Sequence, residues 1–138
     1  DQGGPFGGRA GQVLDRHGQP LALAALAPAT RATLAALYAA QMIAWEVDAL
    51  GGAGPVVLDG PFARNPVIVD ALAALLPPDT LHINDDALEG TARGAWVLSR
   101  WTRSRPWVAR TAPVAAPAQA ALDRARAYHA DWRRGLAG

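Results

Sequence analysis

Residues 55–66 constrain the fold more than any other part of the sequence. The apolar run Pro55–Leu58, bounded by glycines, is typical of a strand buried on both faces in a parallel sheet. Gly60 follows at the carboxyl end of this run, in a turn where the missing Cβ lets other groups approach the backbone. Asn65 can then cap a helix that opens with Pro66, where the missing N–H costs nothing. The segment therefore predicts a strand, a turn and a helix in immediate succession.

The same pattern recurs farther along the chain and indicates the class of fold. The helix that starts at Pro66 is predicted to continue to Leu76, and a second short strand follows over Thr80–Ile83. Another helix is predicted from about Glu89 to about Thr102. A strand, a helix, a strand and a helix in this order imply a parallel α/β layer.

The other segments are predicted from helical spacing, glycines and prolines. An Ala-rich helix from Thr30, a possible N-cap, to Leu50 is expected to be the longest and mostly buried. The rest comprises a loop and small hairpin over residues 1–30, an irregular stretch over Arg103–Pro113 and a terminal amphipathic helix over residues 117–136.

Composition limits the classes of function that the chain can have. The chain has 138 residues, enough for one domain, and a formal net charge of +1, which does not imply nucleic-acid binding. The absence of cysteine excludes disulfides, zinc–thiolate sites and thiol nucleophiles, and fits a cytoplasmic protein. No apolar run reaches membrane-spanning length. Because the chain begins without Met in the Gly-rich loop Asp1–Gly11, we expect a fragment of a longer protein.

Three stretches, in this order, carry a resemblance to a known family. Residues Gly7–Gly11 precede the predicted hairpin and long helix. They are similar to the passage between the second phosphate loop and the adenosine motif of the FGGY carbohydrate kinases. The run Val56–Asn65 resembles the adenosine motif of the FGGY carbohydrate kinases, in which an Asn follows five residues after the first Gly of a Gly-Gly turn. Glu89–Ala95 is similar to the closing Thr-Ala-x-Gly-Ala motif of that family. The resemblance covers nearly the whole chain.

The resemblance implies a fold and a reaction. The fold would be part of a ribonuclease-H-like domain of the actin-like ATPase superfamily, with a short, mainly parallel sheet and flanking helices. Residues 1–138 would be the carboxy-terminal, nucleotide-binding domain of a kinase that phosphorylates a sugar with ATP and Mg²⁺. The family's phosphate loops and catalytic Asp have no counterpart here, so we expect no catalytic residue in this segment. An amino-terminal kinase part would be its partner, and homo-oligomerisation stays open.

The candidate nucleotide-binding residues follow from the two later motifs. They are Gly60, Pro61, Phe62, Asn65, Gly90 and Thr91. Gly60 would let the backbone approach the nucleotide, and Phe62 would add an apolar wall to the base. The resemblance assigns Asn65 to adenine, whose N6/N7 edge matches a donor and an acceptor on one amide. Pro61 stands where the family has its second glycine, so a backbone contact at this position is in doubt.

Structural interpretations compete with these functional ones. Asn65 as an N-cap is favoured over a ligand contact, although both roles can coexist. Gly90, Thr91 and Gly94 can border the ribose or phosphates, but Gly94 can instead allow close helix packing. Thr91 or Asp86 can be a helix cap.

Other residue groups are weaker candidates for chemistry. Asp85 and Asp86 are more typical of a solvated or capping turn than of a magnesium site. The three histidines, His17, His82 and His129, lack ligand spacing, and His82 fits a partly exposed strand position. Arg100–Trp107 fits a solvated helix end better than a nucleic-acid surface. The alternative function is a non-catalytic α/β module that docks on a partner chain, for which an exposed apolar patch would be the mark.

Overall fold

A computed structural model describes residues 11–84, 90–100, 102 and 110–137 of the chain. Its elements in chain order are a 3₁₀ turn Leu23–Ala25, α1 Pro28–Ala49, β1 Val56–Leu58, α2 Gly60–Ala63, α3 Pro66–Leu75, β2 Leu81–Asn84, α4 Gly90–Ser99, β3 Thr111–Pro113 and α5 Gln119–Ala137. The order confirms the predicted α/β class, with a short sheet and flanking helices.

The sheet has three strands in the order β1-β2-β3. Strands β1 and β2 run parallel, with Leu58 opposite Ile83, and the chain crosses between them through α2 and α3. Strand β3 pairs antiparallel with β2, with Asn84 opposite Thr111, so the sheet is mixed beyond its parallel start. The expectation of irregular chain over Arg103–Pro113 is therefore wrong at its end, and residues 103–109 lie outside the described part. Pairing with a distant strand leaves no local sequence signal.

Helix α1 packs on α3 through a face of small side chains. It is the longest helix, as predicted, but it begins at Pro28, so Thr30 lies in its first turn and is not its cap. Its buried residues are Ala36, Ala40, Gln41 and Ala44. Tyr38 is 48% exposed and residues 28–33 at the start of the helix are exposed, so the helix is less buried than expected. Alanines let two helices approach closely, and the larger Leu37, Ile43 and Val47 of α1 are partly buried against the same core.

The core lies between the sheet and the pair α1 and α3. Leu58 of β1 and Leu81 of β2 are buried there together with Ile68 and Leu72 of α3. Val57, whose side chain points to the opposite face of β1, is 46% exposed. The prediction that β1 is buried on both faces is therefore wrong among the described residues, since neighbouring strand positions alternate between faces.

Helix α5 docks on α1 and α3 and adds a polar contact to each. The guanidinium Nε of Arg126 donates to the carbonyl oxygen of Ala74 in α3 at 3.3 Å. The imidazole Nδ1–H of His129 donates to Oε1 of Gln41 in α1. Gln41 is 1% exposed, so this bond satisfies a polar group inside the core.

The predicted hairpin is reduced to a single antiparallel bridge between Leu14 and Pro20. Asp15 Oδ1 accepts from the backbone N–H groups of His17 and Gln19, at 2.7 and 2.9 Å. Gly18 in this turn has φ +78°, a conformation that favours glycine. Along the described part of the chain, no helix combines the length and apolar character needed to cross a membrane.

Candidate functional site

The candidate site lies at the carboxyl ends of the two parallel strands. Strand β1 ends at Leu58, and Asp59 and Gly60 follow at once. Gly60 has φ +66°, a backbone conformation that other residues adopt only under strain. A Cβ built on Gly60 would have no described atom within 4 Å. Gly60 therefore has a backbone conformation that favours glycine, and no described atom blocks the approach of a ligand to it. Open α/β sheets bind ligands at this position.

Pro61 fits the local structure without cost. It lies in the first turn of the short helix α2, where a backbone N–H has no partner within the helix. The proline therefore removes no hydrogen bond of the fold, although it still offers no donor to a ligand. Phe62, the next residue, is 46% exposed. An apolar ring thus lies accessible two residues after the Gly60 turn.

Asn65 caps α3, which confirms the structural interpretation of this residue. Its Oδ1 accepts from the backbone N–H groups of Val67 at 3.0 Å and Ile68 at 3.4 Å. An amide oxygen has two lone pairs, and the cap uses both. Oδ1 is therefore committed, and only Nδ2, a donor, remains for a second role.

Asp59, which is absent from the predicted site, joins three segments of the chain. Its Oδ1 accepts from the N–H of Gly60 at 2.8 Å and from Nδ2 of Asn84 at 2.9 Å. Its Oδ2 accepts from the N–H of Gly90 at 2.5 Å. The carboxylate thus ties the ends of both parallel strands to the start of α4.

These hydrogen bonds keep the carboxylate charged. The pKa of Asp59 lies below its usual value, first because Asn84 donates to it, and then because the N–H groups of Gly90 and Gly60 do. Burial opposes the shift, and the nearby Arg64 guanidinium adds to it. The sequence contained a signal for Asp59 and Asn84, because each of these polar residues directly follows one of the two predicted parallel strands.

Gly90 and Thr91 open α4, next to this carboxylate. A Cβ on Gly90 would lie 2.6 Å from Oδ2 of Asp59, so a glycine is needed there. Thr91 is exposed inside the helix and therefore does not cap it. Gly94 is also exposed, and a Cβ on it would meet no described atom within 4 Å, so its packing interpretation is wrong for the described structure. Asp85, Asp86 and Glu89 lie outside the described residues.

The structure thus brings together part of the predicted set. Gly60 and Gly90, which lie in different motifs, both donate their backbone N–H to Asp59. Phe62 and Asn65 follow Gly60 on the path from β1 to α3. These predicted residues therefore lie around one end of the sheet and not on separate surfaces.

The histidines and acidic residues form no metal site within the ranges that the structure describes, where no group of three or more potential ligands occurs. His82 Nδ1 lies 3.3 Å from Thr111 Oγ1, a contact across the β2–β3 pair. His17 accepts from Arg16 in the exposed hairpin turn. The guanidinium of Arg100 lies 5.4 Å from the ring centre of Trp96, and most of the stretch Arg100–Trp107 is outside the described residues.

A parallel strand pair, with a glycine turn and two helix starts at its carboxyl ends, defines an α/β domain, and this edge is the one at which open α/β sheets bind ligands. The family model for the carbohydrate kinase FGGY C-terminal domain matches residues 1–109 of the 138. The chain therefore belongs to the FGGY carbohydrate kinase family, as its C-terminal domain, and the family indicates a carbohydrate kinase for the parent protein. No curated protein and no solved structure gives a significant match.

Proposed function

We propose that this chain supplies the adenosine-binding part of the cleft in an ATP-dependent carbohydrate kinase. The kinase would transfer the γ-phosphoryl group of ATP to a sugar hydroxyl and release ADP. The proposal extends the family assignment from the parent protein to particular residues of this chain. Its residues are Gly60, Pro61, Phe62, Asn65, Gly90 and Thr91.

One observation carries the proposal: the adenosine-motif turn at Gly60 and the closing-motif helix at Gly90 meet at the carboxyl ends of β1 and β2. Both donate to the same carboxylate, although they lie 30 residues apart in the sequence. Ligands of open parallel sheets bind at such ends, where loops and helix starts surround a space outside the strands. The open approach to Gly60 supports a ligand that lies directly against the backbone.

The side chains around this turn suit a base and its sugar. Phe62 offers an exposed ring for the base. Asn65 can donate through Nδ2 to a ring nitrogen of adenine while its oxygen caps α3. This differs from a two-point contact with the N6/N7 edge, which would require the oxygen to release the cap. Glycine at position 60 keeps a Cβ atom out of the space beside the nucleotide.

The metal and the chemical step belong to other parts of the kinase in this proposal. Mg²⁺ would be held by the ATP phosphates and by residues of the amino-terminal part, since the described residues supply no carboxylate cluster. The base that takes the proton of the sugar hydroxyl would lie there too. We place the reaction in the cytoplasm, which a cysteine-free chain fits.

The test is a pair of glycine substitutions in the full-length protein, with ATP affinity measured by calorimetry. Gly60 and Gly51 have nearly the same φ, +66° and +62°, and a Cβ on either meets no described atom within 4 Å. Alanine at either position should therefore cost a similar backbone strain of about 1–2 kcal/mol. Only Gly60→Ala places its methyl group against the nucleotide, so we expect its Kd for ATP to rise about tenfold while Gly51→Ala binds normally.

Equal ATP affinity in both variants and the wild type would show that the nucleotide does not lie on this turn. A wild-type protein that binds no ATP but holds a partner chain would favour the docking module instead. That alternative needs an exposed apolar patch, and Val57 and Phe62, each 46% exposed, would be the first residues to change in a pull-down with a defined partner.

A further inference from the structure

Asp59 holds together the two stretches that would border the nucleotide. Gly60 N–H and Asn84 Nδ2 donate to one carboxylate oxygen, and Gly90 N–H donates to the other. Gly60 starts the turn after β1, Asn84 ends β2 and Gly90 starts α4. The distance between these backbones is therefore set by the size of one carboxylate.

Gly90, the first residue of α4, donates its N–H to a residue that is distant in the sequence. The first N–H groups of a helix have no partner within it and need an acceptor. For the N–H of Gly90 that acceptor is Asp59, which lies 31 residues earlier in the chain. A negative charge at a helix start is also favoured by the helix dipole. The position of the first turn of α4 thus depends on Asp59.

Glycine at position 90 and aspartate at position 59 form a matched pair. The carboxylate lies where a Cβ of residue 90 would be, with only 2.6 Å between that Cβ and Oδ2. Any larger residue at position 90 must push the carboxylate or the helix away. Because this close contact depends on both residues, a substitution at position 59 or at position 90 can test it.

A carboxylate fits this position because all three contacts are donors. An ionised Asp is an acceptor only, with two oxygens on a short side chain. An Asn at position 59 would direct an NH₂ group either at the N–H of Gly90 or at the donors on the other oxygen. Hydrogen bonds to a charged acceptor are also shorter and stronger than neutral ones. The lowered pKa of Asp59 agrees with this arrangement.

We propose that Asp59 is a positioning residue for nucleotide binding, whose carboxylate fixes the gap between the Gly60 turn and the first turn of α4. The proposal rests on the function proposed above, because it assumes that the nucleotide lies between these two stretches. Asp59 acts through the backbone that it orients and does not itself contact ATP.

The first test compares Asp59→Asn with Asp70→Asn in the full-length protein. Asp70 is an exposed carboxylate of α3, so its variant makes the same chemical change away from the turn. We measure Kd for ATP by calorimetry well below the thermal midpoint, where every variant that folds is fully folded. Loss of a charged hydrogen bond predicts that Kd rises about tenfold or more for Asp59→Asn and stays at the wild-type value for Asp70→Asn.

The second test substitutes Gly90, and it tests the proposal even if Asp59→Asn does not fold. Gly90→Ala should also raise Kd for ATP about tenfold, whereas Gly135→Ala in α5, where a Cβ meets no described atom within 4 Å, should not. In the double variant Asp59→Asn with Gly90→Ala, the increase should be well below the product of the single effects, because both disturb one contact.

The outcomes separate this proposal from the one on which it rests. If the wild type binds no ATP, the adenosine-binding function fails and the role of Asp59 fails with it. If the wild type binds ATP and both Asp59→Asn and Gly90→Ala keep its Kd while lowering the thermal midpoint, the carboxylate only stabilises the fold. Raised Kd values in both, with unchanged controls, support a positioning role.

Discussion

Asn65 serves the fold with one end of its amide and leaves the other end for a ligand. Its oxygen accepts from the first N–H groups of α3, at Val67 and Ile68. A side chain without an acceptor at this position would leave these groups unsatisfied at a partly buried helix start. A cap and a nucleotide contact are therefore compatible at one residue, because they use different atoms.

Substitutions of Asn65 can separate the two roles. Asp and Ser cap helices about as well as Asn but have no amide NH₂, so Asn65→Asp and Asn65→Ser should keep stability within about 0.5 kcal/mol. Asn65→Ala should lose about 1 kcal/mol through the cap. We expect all three to weaken ATP binding by a similar factor of about ten, measured by calorimetry beside urea denaturation. Normal ATP affinity in Asn65→Asp and Asn65→Ser would restrict Asn65 to capping.

At the scale of elements, polar pairs tie α5 to α1 and α3. Arg133 forms a salt bridge with Asp48 of α1 at 2.9 Å, but both side chains are about half exposed or more, so it adds little stability. The bond from His129 to the buried Gln41 matters more, because it satisfies the amide oxygen inside the core. The His129 ring also stacks on Trp132, with the ring centres 5.8 Å apart.

The docking of α5 should weaken in acid. The pKa of His129 lies below the usual 6.5, first through burial and then through the Arg133 charge, against the opposing effect of Asp48. On acidification the unfolded chain therefore binds this proton first, so stability falls as the pH drops through about 6.5 and levels off below the folded pKa.

Urea denaturation of the full-length protein at several pH values checks this. His129→Gln keeps a donor for Gln41 but cannot titrate, so its free energy of unfolding should fall less between pH 7.5 and 5 than that of the wild type. All other titratable groups are common to both proteins, so their contributions cancel in the difference. Parallel curves for the two proteins would contradict the prediction.

At the scale of the molecule, the parts of the candidate site differ in how firmly they are packed. Helix α3 lies in the core, with Ile68 and Leu72 buried. Helix α4 has no buried residue, and its first turn is held by Asp59. Helix α5 lies on α1 and α3, and its residues fall outside the range matched by the family model. The candidate site thus combines a turn that leads into a core helix with the start of a helix that has no buried residue.

Hydrogen exchange of the full-length protein with and without ATP should show this difference. A ligand bound between the two stretches should slow exchange in residues 59–68 and in the first turn of α4, because binding suppresses local opening. The amides of α5 should exchange at the same rate in both states. Slowing in α5 alone, or no slowing after Gly60, would place the nucleotide elsewhere.

The sequence alone determined the features that depend on neighbouring residues. The turn at Gly60, the cap at Asn65, the start of α3 at Pro66 and the α/β class all follow from the φ preferences, missing donors and short-range hydrogen bonds of residues a few positions apart. The family motifs are contiguous runs of residues, so they too can be recognised from the sequence alone.

Tertiary structure alone decided which distant groups meet and which faces are covered. Asp59 reaches Gly90 across 31 positions, and Gln41 reaches His129 across 88. The exposure of Val57 depends on what packs against β1, and no property of valine specifies it. Such contacts form only when helices and strands have assembled, because a hydrogen bond between remote residues is selected by the packing of whole elements and not by local preference.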